Sequence, residues 1–322
     1  EGTICSRVAR TVGGVGRIGV GRIGLVTANV VRDRDEDLAP LLDSFHRLDT
    51  ASTDAPSVDA EIVAWDDATV DWSSFDVVIL RSTWDYIDRL DEFLAWIDHV
   101  DRHTVVWNPA AVVRWNIDKR YLLDLAAEGV PIVPTEFVAP GEPTPEPVVA
   151  AQATSEWEVK PTVGAGSKGA SRCRRDDVET AVAVLHAGGR TAMVQPYAEL
   201  IDAAGETALV HVGDGRDLQF SHAFGKAAIL RPDGVEMDGE IAVEEIGERT
   251  ATAAELDVAG AALASAAVQR FGQLAYARVD VVPTKDGPVL MELELIEPSL
   301  YFHASAGSAD RAAARFARLG DR

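Results

Sequence analysis

The stretch "YARVDVVPTKDGPVLMELELI", Tyr276 to Ile296, decides how this chain folds. It reads as two apolar-rich strands on either side of the turn signal "TKDG". Side chains at i and i+2 share a face of a strand. Arg278 and Asp280 therefore point the same way on the first strand, and Glu292 and Glu294 do so on the second. With the turn centred on Asp286, Asp280 lies opposite Glu292 and Arg278 opposite Glu294. Three carboxylates so placed repel one another unless a divalent cation sits among them. Oxygen-only ligands suit Mg²⁺, which is held by few carboxylates together with substrate phosphates. An ordinary half-exposed strand, with Met291, Leu293 and Leu295 inward, has the same alternation. The hairpin needs a companion signal.

That signal lies upstream. The chain has five lysines against twenty-five arginines. Arginine serves wherever a generic cation will do, so each lysine asks for a reason. A compact ammonium aimed at phosphate oxygens is one. The lysines are Lys119, Lys160, Lys168, Lys226 and Lys285, and only Lys285 occupies an obvious turn. "EVKPTVGAGSKG", Glu158 to Gly169, puts Lys160 at a strand end before a loop with three glycines, Ser167 and Lys168. Its spacing is not that of a P-loop. Such a loop can still close backbone N–H groups and a cation over phosphates; an exposed turn between two strands is the competing reading.

Around these motifs the chain alternates strand and helix from Arg22 to about Ala110, which predicts a mostly parallel sheet covered by helices. "RSTWDY", Arg81 to Tyr86, falls at a carboxyl strand end, where such sheets bind ligands. A helix over "DKRYLLDLAAEG" follows, with Asp118 as N-cap and Gly129 as C-cap, and then a strand over "VPIVPTEFV". The last third reads as a hairpin, one long helix over "AAELDVAGAALASAAVQRFG", the acid-bearing hairpin and a final helix. The expected class is α/β with α+β modules. A flexible extension covers 1–21, a parallel-sheet domain 22–111, a central lid module 112–195, and an antiparallel C-terminal module 196–322.

"GVGRIGVGRIG", Gly14 to Gly24, repeats the dinucleotide fingerprint G-x-G-x-x-G. That fingerprint must follow a strand and open a helix. Here it precedes the first good strand, so it reads as a lead-in. The net charge of −22 argues against nucleic-acid and anionic-membrane partners. Two cysteines, Cys5 and Cys173, argue against a disulfide framework and for a reducing cytoplasm. No apolar run reaches membrane-spanning length.

The order of these motifs resembles the ATP-grasp superfamily, on its glutathione synthetase and D-alanine–D-alanine ligase side, from about Arg22 to the C-terminus. The resemblance implies that Lys119 and Lys160 bind the phosphates of ATP and that Gly164 to Gly169, with Gly166 and Ser167, form the lid. Gln195 and Tyr197 would meet the adenine. Glu206 would take the ribose, with Glu199 and Asp202 as rivals. Asp280, Glu292 and Glu294 would hold Mg²⁺, Arg278 would stabilise the transferred phosphoryl group, and Lys226 would meet the phosphates or an acyl phosphate. Glu294 departs from the family's usual Asn. Arg81, Tyr301 and His303 are the candidates for contact with the second substrate.

The implied activity is ATP-dependent, ADP-forming ligation of a substrate carboxylate, activated as an acyl phosphate, to a nitrogen nucleophile. "VRWNIDKRYLLDLAAEGVPIVPT" and "MELELIEPSLY" look similar to a branch of the superfamily that includes an O-ureido-serine cyclo-ligase of cycloserine biosynthesis. An intermolecular amino acid or dipeptide ligase and a non-catalytic nucleotide-binding module are the alternatives. The expected partner is a small, amino acid-like carboxylate, with neither nucleic acid nor membrane, and the expected assembly is a homodimer.

Overall fold

The computed structural model describes residues 21–51, 58–144, 154–198, 200–230, 237–238 and 241–319. The glycine-rich lead-in before Gly21 and the acid Glu199 lie outside the described residues.

The Ile- and Val-rich run after Gly21 forms β1 (Arg22–Thr27), buried on both faces as a parallel-sheet strand should be. It pairs in parallel with β2 (Asp59–Ala64) and β3 (Val77–Ser82), and β3 pairs in parallel with β4 (Val105–Trp107). The order is β2-β1-β3-β4, with helices Leu38–Ala51 and Leu90–Asp101 in the connections. A second sheet, β5-β8-β6-β7, is built from β5 (Glu136–Val138), β6 (Glu156–Pro161), β7 (Ser171–Arg174) and β8 (Ala192–Pro196). It is antiparallel throughout and carries helix Val178–Ala187. A third sheet contains β9 (Glu206–Gly213), β10 (Leu218–Lys226), β13 (Ile246–Glu248), β14 (Tyr276–Thr284) and β15 (Gly287–Glu294), in the order β13-β10-β9-β14-β15. The short pair β11 (Met237–Asp238) and β12 (Ile241–Ala242) stands apart.

The first and third sheets share one core. Ile23, Leu25 and Phe45 pack in the same cluster as Val210, Phe224, Tyr276 and Phe316, the last on the final helix Ser308–Phe316. Asn108 ties the two sheets by hydrogen bonds. Its amide donates to the carbonyls of Tyr276 and Leu295, and its Oδ1 accepts from the Ala275 N–H, all within 2.9 Å. A fully buried Asn with its donors and acceptor so used holds the base of β14 and the end of β15 against the parallel sheet.

Several local expectations shift. The helix begins at Tyr121, so Asp118 is not its N-cap; the Asp118 carboxylate instead accepts the Arg120 N–H two residues on, making a turn before the helix. An additional helix, Ala110–Asn116, precedes it. Only Glu136–Val138 of "VPIVPTEFV" becomes a strand, because Pro131 and Pro134 have no N–H to donate to a ladder. The long alanine-rich helix breaks at Ser265, whose extended backbone ends Ala253–Ala264 and whose hydroxyl caps Ala266–Gln269 by accepting from the Val268 N–H.

Candidate active site

The acid-bearing hairpin pairs Asp280 with Glu292 and Arg278 with Glu294. The turn is one residue tighter than a centre at Asp286 supposes, since Thr284 pairs with Gly287. A bulge restores the register: Val281 pairs with Leu290, so Met291 is the extra residue between the two paired positions. The free edge of β15 is held by side chains. Asn116 exchanges hydrogen bonds with the Leu293 carbonyl and the Leu295 N–H, and the Tyr121 hydroxyl accepts from the Leu293 N–H. Pro131 and Val133 complete the edge through the backbone of Leu290. The sequence "WNIDKRY" thus anchors the strand that carries the acids and, in passing, delivers Lys119.

The cations converge on these acids. Lys119 Nζ lies 2.9 Å from Glu292 Oε1 and donates to the Gly164 carbonyl at 2.9 Å. Lys160, at the end of β6, lies 2.8 Å from Glu158 Oε1 and 3.9 Å from the Met291 sulfur. Lys226, at the end of β10, pairs with Asp280 at 3.0 Å and with Glu206 at 3.2 Å. Arg278 bonds Asp280 through Nε and Nη2, meets Glu294 through Nη2, and donates to the Ser299 carbonyl at 3.0 Å. Gly205 makes room for this pairing: its φ is +68°, and a Cβ there would lie 2.5 Å from the Lys226 carbonyl.

A cavity of about 670 Å³ opens over the cluster. Lys119, Lys160, Lys226, Arg278, Glu206, Glu292 and Glu294 all line it, as do Gly164, Gly166, Ser167, Tyr197 and Tyr301. Asp280 is almost wholly covered and stands behind Lys226 and Arg278. The glycine loop crosses the cavity and reaches the first domain, where Lys168 Nζ lies 2.8 Å from Asp88. Gly166 and Ser167 both take φ of +58°, the left-handed turn that lets the loop fold back. The Tyr197 ring lies under the Arg172 guanidinium at 3.7 Å, and its hydroxyl donates to Asp202. Asp202 is therefore committed to Arg172 and Tyr197 and does not line the cavity.

Three expected site residues are elsewhere. Gln195 is buried outside the cavity lining, donating to the Thr135 hydroxyl at 2.7 Å. Arg81 is buried behind the wall, where it donates to the Pro298 carbonyl at 2.7 Å and lies over the Tyr276 ring. There it braces the loop after β15. His303 is exposed and faces Glu36 at 3.5 Å, outside the cavity. Gln195 and Arg81 lie near the ends of β8 and β3 and His303 follows β15, but neighbours in sequence along a twisted chain point in different directions.

The acids outnumber the cations in the cavity, and the charge balance shows it. Burial works to raise the Asp280 carboxyl, but Arg278 and Lys226 outweigh it and hold it below the ordinary value. Desolvation likewise opposes Glu292, and Lys119 and Lys160 overcome it. Glu294 goes the other way: desolvation, with Asp280 and Glu292 close by, pushes it up to about 8 despite Arg278. Arg278 shares its charge with Asp280, which takes the larger part. Burial also raises Glu206, and pushes Glu297 up to about 7. Surplus carboxylates of this kind suit a divalent cation with oxygen ligands. Among the described residues no three acidic, histidine or cysteine side chains converge into a closed metal cage. The expected set of three is therefore not gathered at one point; Glu292 and Glu294 face the cavity without Asp280, and such a pair of oxygen donors fits Mg²⁺, which takes one or two carboxylates and completes its shell from phosphate oxygens and water.

Sequence reasoning passed over Glu158, Glu244, Glu297 and Tyr86, which also line the cavity. Glu158 was visible in principle, two residues before Lys160 on the same strand face. Glu244 accepts from the Tyr301 hydroxyl at 2.7 Å, a contact across 57 residues with no local pattern. Asp37 was equally hidden: its carboxylate accepts the N–H groups of Leu300, Tyr301 and Phe302, and so holds Tyr301 in its left-handed conformation.

The chain is similar to known proteins over most of its length. Residues 23–108 match the family described as "D-cycloserine synthetase DcsG, N-terminal domain". The chain is 41% identical over 295 residues to the cycloserine biosynthesis protein DcsG of Streptomyces lavendulae, covering 87% of this chain and 93% of that protein. The crystal structure of D-cycloserine synthetase DcsG superposes with a TM-score of 0.80 at 38% identity, covering 93% of this chain and 100% of the other. The VanG D-Ala:D-Ser ligase of Enterococcus faecalis shares the fold, with a TM-score of 0.64 at 13% identity over 93% of this chain and 99% of its own.

Proposed function

From the premise that this chain belongs to the DcsG family of ATP-grasp ligases, we propose that it is the ATP-dependent cyclo-ligase that closes O-ureido-D-serine into the cycloserine ring. The observation that carries the site assignment is the meeting of Lys119, Lys160, Lys226 and Arg278 with the paired acids of β14 and β15 in one cavity. Lysines that are scarce in the chain and concentrated here act as phosphate-binding point charges.

In this reading Lys119 and Lys160 hold the phosphates of ATP, and the loop from Gly164 to Gly169 closes over them. Tyr197 walls the nucleotide and Glu206 takes the ribose. Glu292 and Glu294, with Asp280 behind them, hold Mg²⁺, which when bound neutralises phosphate charge. Arg278 is aimed where charge gathers as the phosphoryl group moves to the substrate carboxylate. Charge stabilisation by groups already in place costs no reorganisation at the moment of transfer. Lys226 steadies the acyl phosphate. The closed loop excludes water from it. The substrate's own ureido nitrogen then attacks the activated carbonyl, losing its proton and expelling phosphate; the ring closes with the carbamoyl group still on its nitrogen, and water admitted after phosphate has left removes that group as carbamate, which breaks down to carbon dioxide and ammonia. Tyr301, held by Asp37 and Glu244, faces this part of the cavity. We place the reaction in the cytoplasm, where ATP is made available; among the described residues no helix is long and apolar enough to cross a membrane.

The test is ADP release from Mg²⁺ and ATP against a panel of amino acids, dipeptides and O-ureido-D-serine, with Lys160→Ala as the blank. The expected result is release that needs O-ureido-D-serine and vanishes in the variant. Release with a pair of amino acids instead would replace cyclisation by intermolecular ligation.

A further inference from the structure

Nearly every carboxylate lining the cavity has its own cation. Glu158, Glu206, Glu292 and Glu294 each meet a lysine or arginine, as do Asp85 and Asp88 at the mouth. Glu244 is engaged by the Tyr301 hydroxyl. Glu297 differs. It is 9% exposed, it lines the cavity, and no lysine or arginine among the described residues pairs with it. Its neighbours on the wall are Tyr86, whose hydroxyl lies against it, and Trp84, whose indole N–H donates to its backbone carbonyl at 2.9 Å. Its Oε2 has no hydrogen-bond partner.

A carboxylate left in such a place without a cation or a full set of donors is costly. Buried charges in proteins are as a rule paired, and one without a partner holds its proton more tightly until a cation is brought to it. Glu297 stands three residues past Glu294, where the chain leaves the acid-bearing strand, beside Trp84 and Tyr86 of the first domain and within electrostatic reach of Lys119 and Arg278.

We propose that Glu297 is the specificity-determining residue that pairs with the α-ammonium group of the amino acid-like substrate. The inference deepens the reading of the preceding subsection and rests on it. The ammonium supplies the missing cation and donates to the unpartnered Oε2, which is buried in the free protein and turns toward the cavity when the substrate binds. The pairing fixes which end of the substrate faces the phosphates, and it rejects carboxylates that lack an amine.

The experiment compares ADP release with O-ureido-D-serine and with its des-amino analogue, 3-(ureidooxy)propanoate, in the unaltered protein and in Glu297→Gln. The unaltered protein is expected to favour the amine-bearing compound in kcat/KM by about 10- to 100-fold, the range of a hydrogen bond to a charged group. Glu297→Gln is expected to lose that preference to within about threefold, chiefly through KM, with the KM for ATP unchanged. Glu297→Asp, which keeps the charge, is expected to retain part of it. A Glu297→Gln protein that melts normally and keeps the full preference overturns the proposal. So does a variant whose defect lies in its Mg²⁺ requirement instead, since that puts the carboxylate on the metal side. If the unaltered protein ignores O-ureido-D-serine, the substrate reading fails by itself. Glu297 is then judged on whichever amine-bearing panel compound releases ADP, against that compound's des-amino form.

Discussion

Asp280 faces Glu292 across the last hairpin one residue out of step with the turn that joins their strands, and the bulge at Met291 makes up the difference. Without the bulge, the tight turn would pair Asp280 with Met291. Every alternation on β15 beyond that point would then reverse, turning both glutamates away from the cavity. Met291 itself, released from the ladder, joins the cavity wall beside Lys160.

Asp280 is the shared partner of two buried cations, Lys226 and Arg278. Asp280→Ala leaves both with weakened pairing. Removing one member of a buried ion network costs about 3–5 kcal/mol. Denaturant unfolding of the metal-free protein is expected to show a loss of that order. A loss under about 1 kcal/mol would mean that Glu206 and Glu294 satisfy the cations without it.

Glu294 sets a pH dependence. Its carboxyl titrates at about 8 in the folded chain against an ordinary 4.5. Below the lower value both folded and unfolded chains hold the proton. Between the two, the unfolded chain releases it while the folded chain keeps it, so stability declines as pH rises toward about 8. Melting temperature in chelator is expected to fall across that window. Glu297, raised to about 7, and Glu206 act in the same direction. Glu294→Asn, which installs the residue usual in the wider family, is expected to reduce the slope without abolishing it. An unchanged slope would show that Glu294 is ionised in the free protein.

Lys168 and Asp88 tie the glycine loop to the first domain over the cavity. Both are partly exposed, so their pairing contributes little to stability. Asp88→Ala is expected to leave the melting temperature in place and to raise the ratio of ADP released to product formed, because a loosened loop admits water. Equal ratios in the two proteins would remove the latch from the reaction.

Arg81 braces the loop after β15 and stands outside the cavity lining. Arg81→Lys gives up the guanidinium's contact with Tyr276 and part of its bonding to Pro298. A stability loss of about 1–3 kcal/mol is expected, with KM for substrate unchanged within twofold or so. A rise in KM of about tenfold or more would return Arg81 to the substrate site.

The sequence alone was enough to place most of the strands and helices, the parallel first sheet, the final hairpin and the cations and acids that meet over it, while the helix Ala110–Asn116, the break at Ser265 and the short strands β11 to β13 were not visible in it. Those signals are local: strand periodicity, the scarcity of lysine, and acids two residues apart. It also carried Asp280 opposite Glu292, although the turn and the bulge that produce that register were not visible in it. Tertiary structure decided which side chains reach the cavity. Arg81, Gln195 and His303 stand close in sequence to cleft residues, yet burial or twist turns them away. Glu297, Glu244 and Asp37 act through partners brought near by packing. Direction and desolvation depend on what surrounds a side chain in three dimensions, and no local pattern records them.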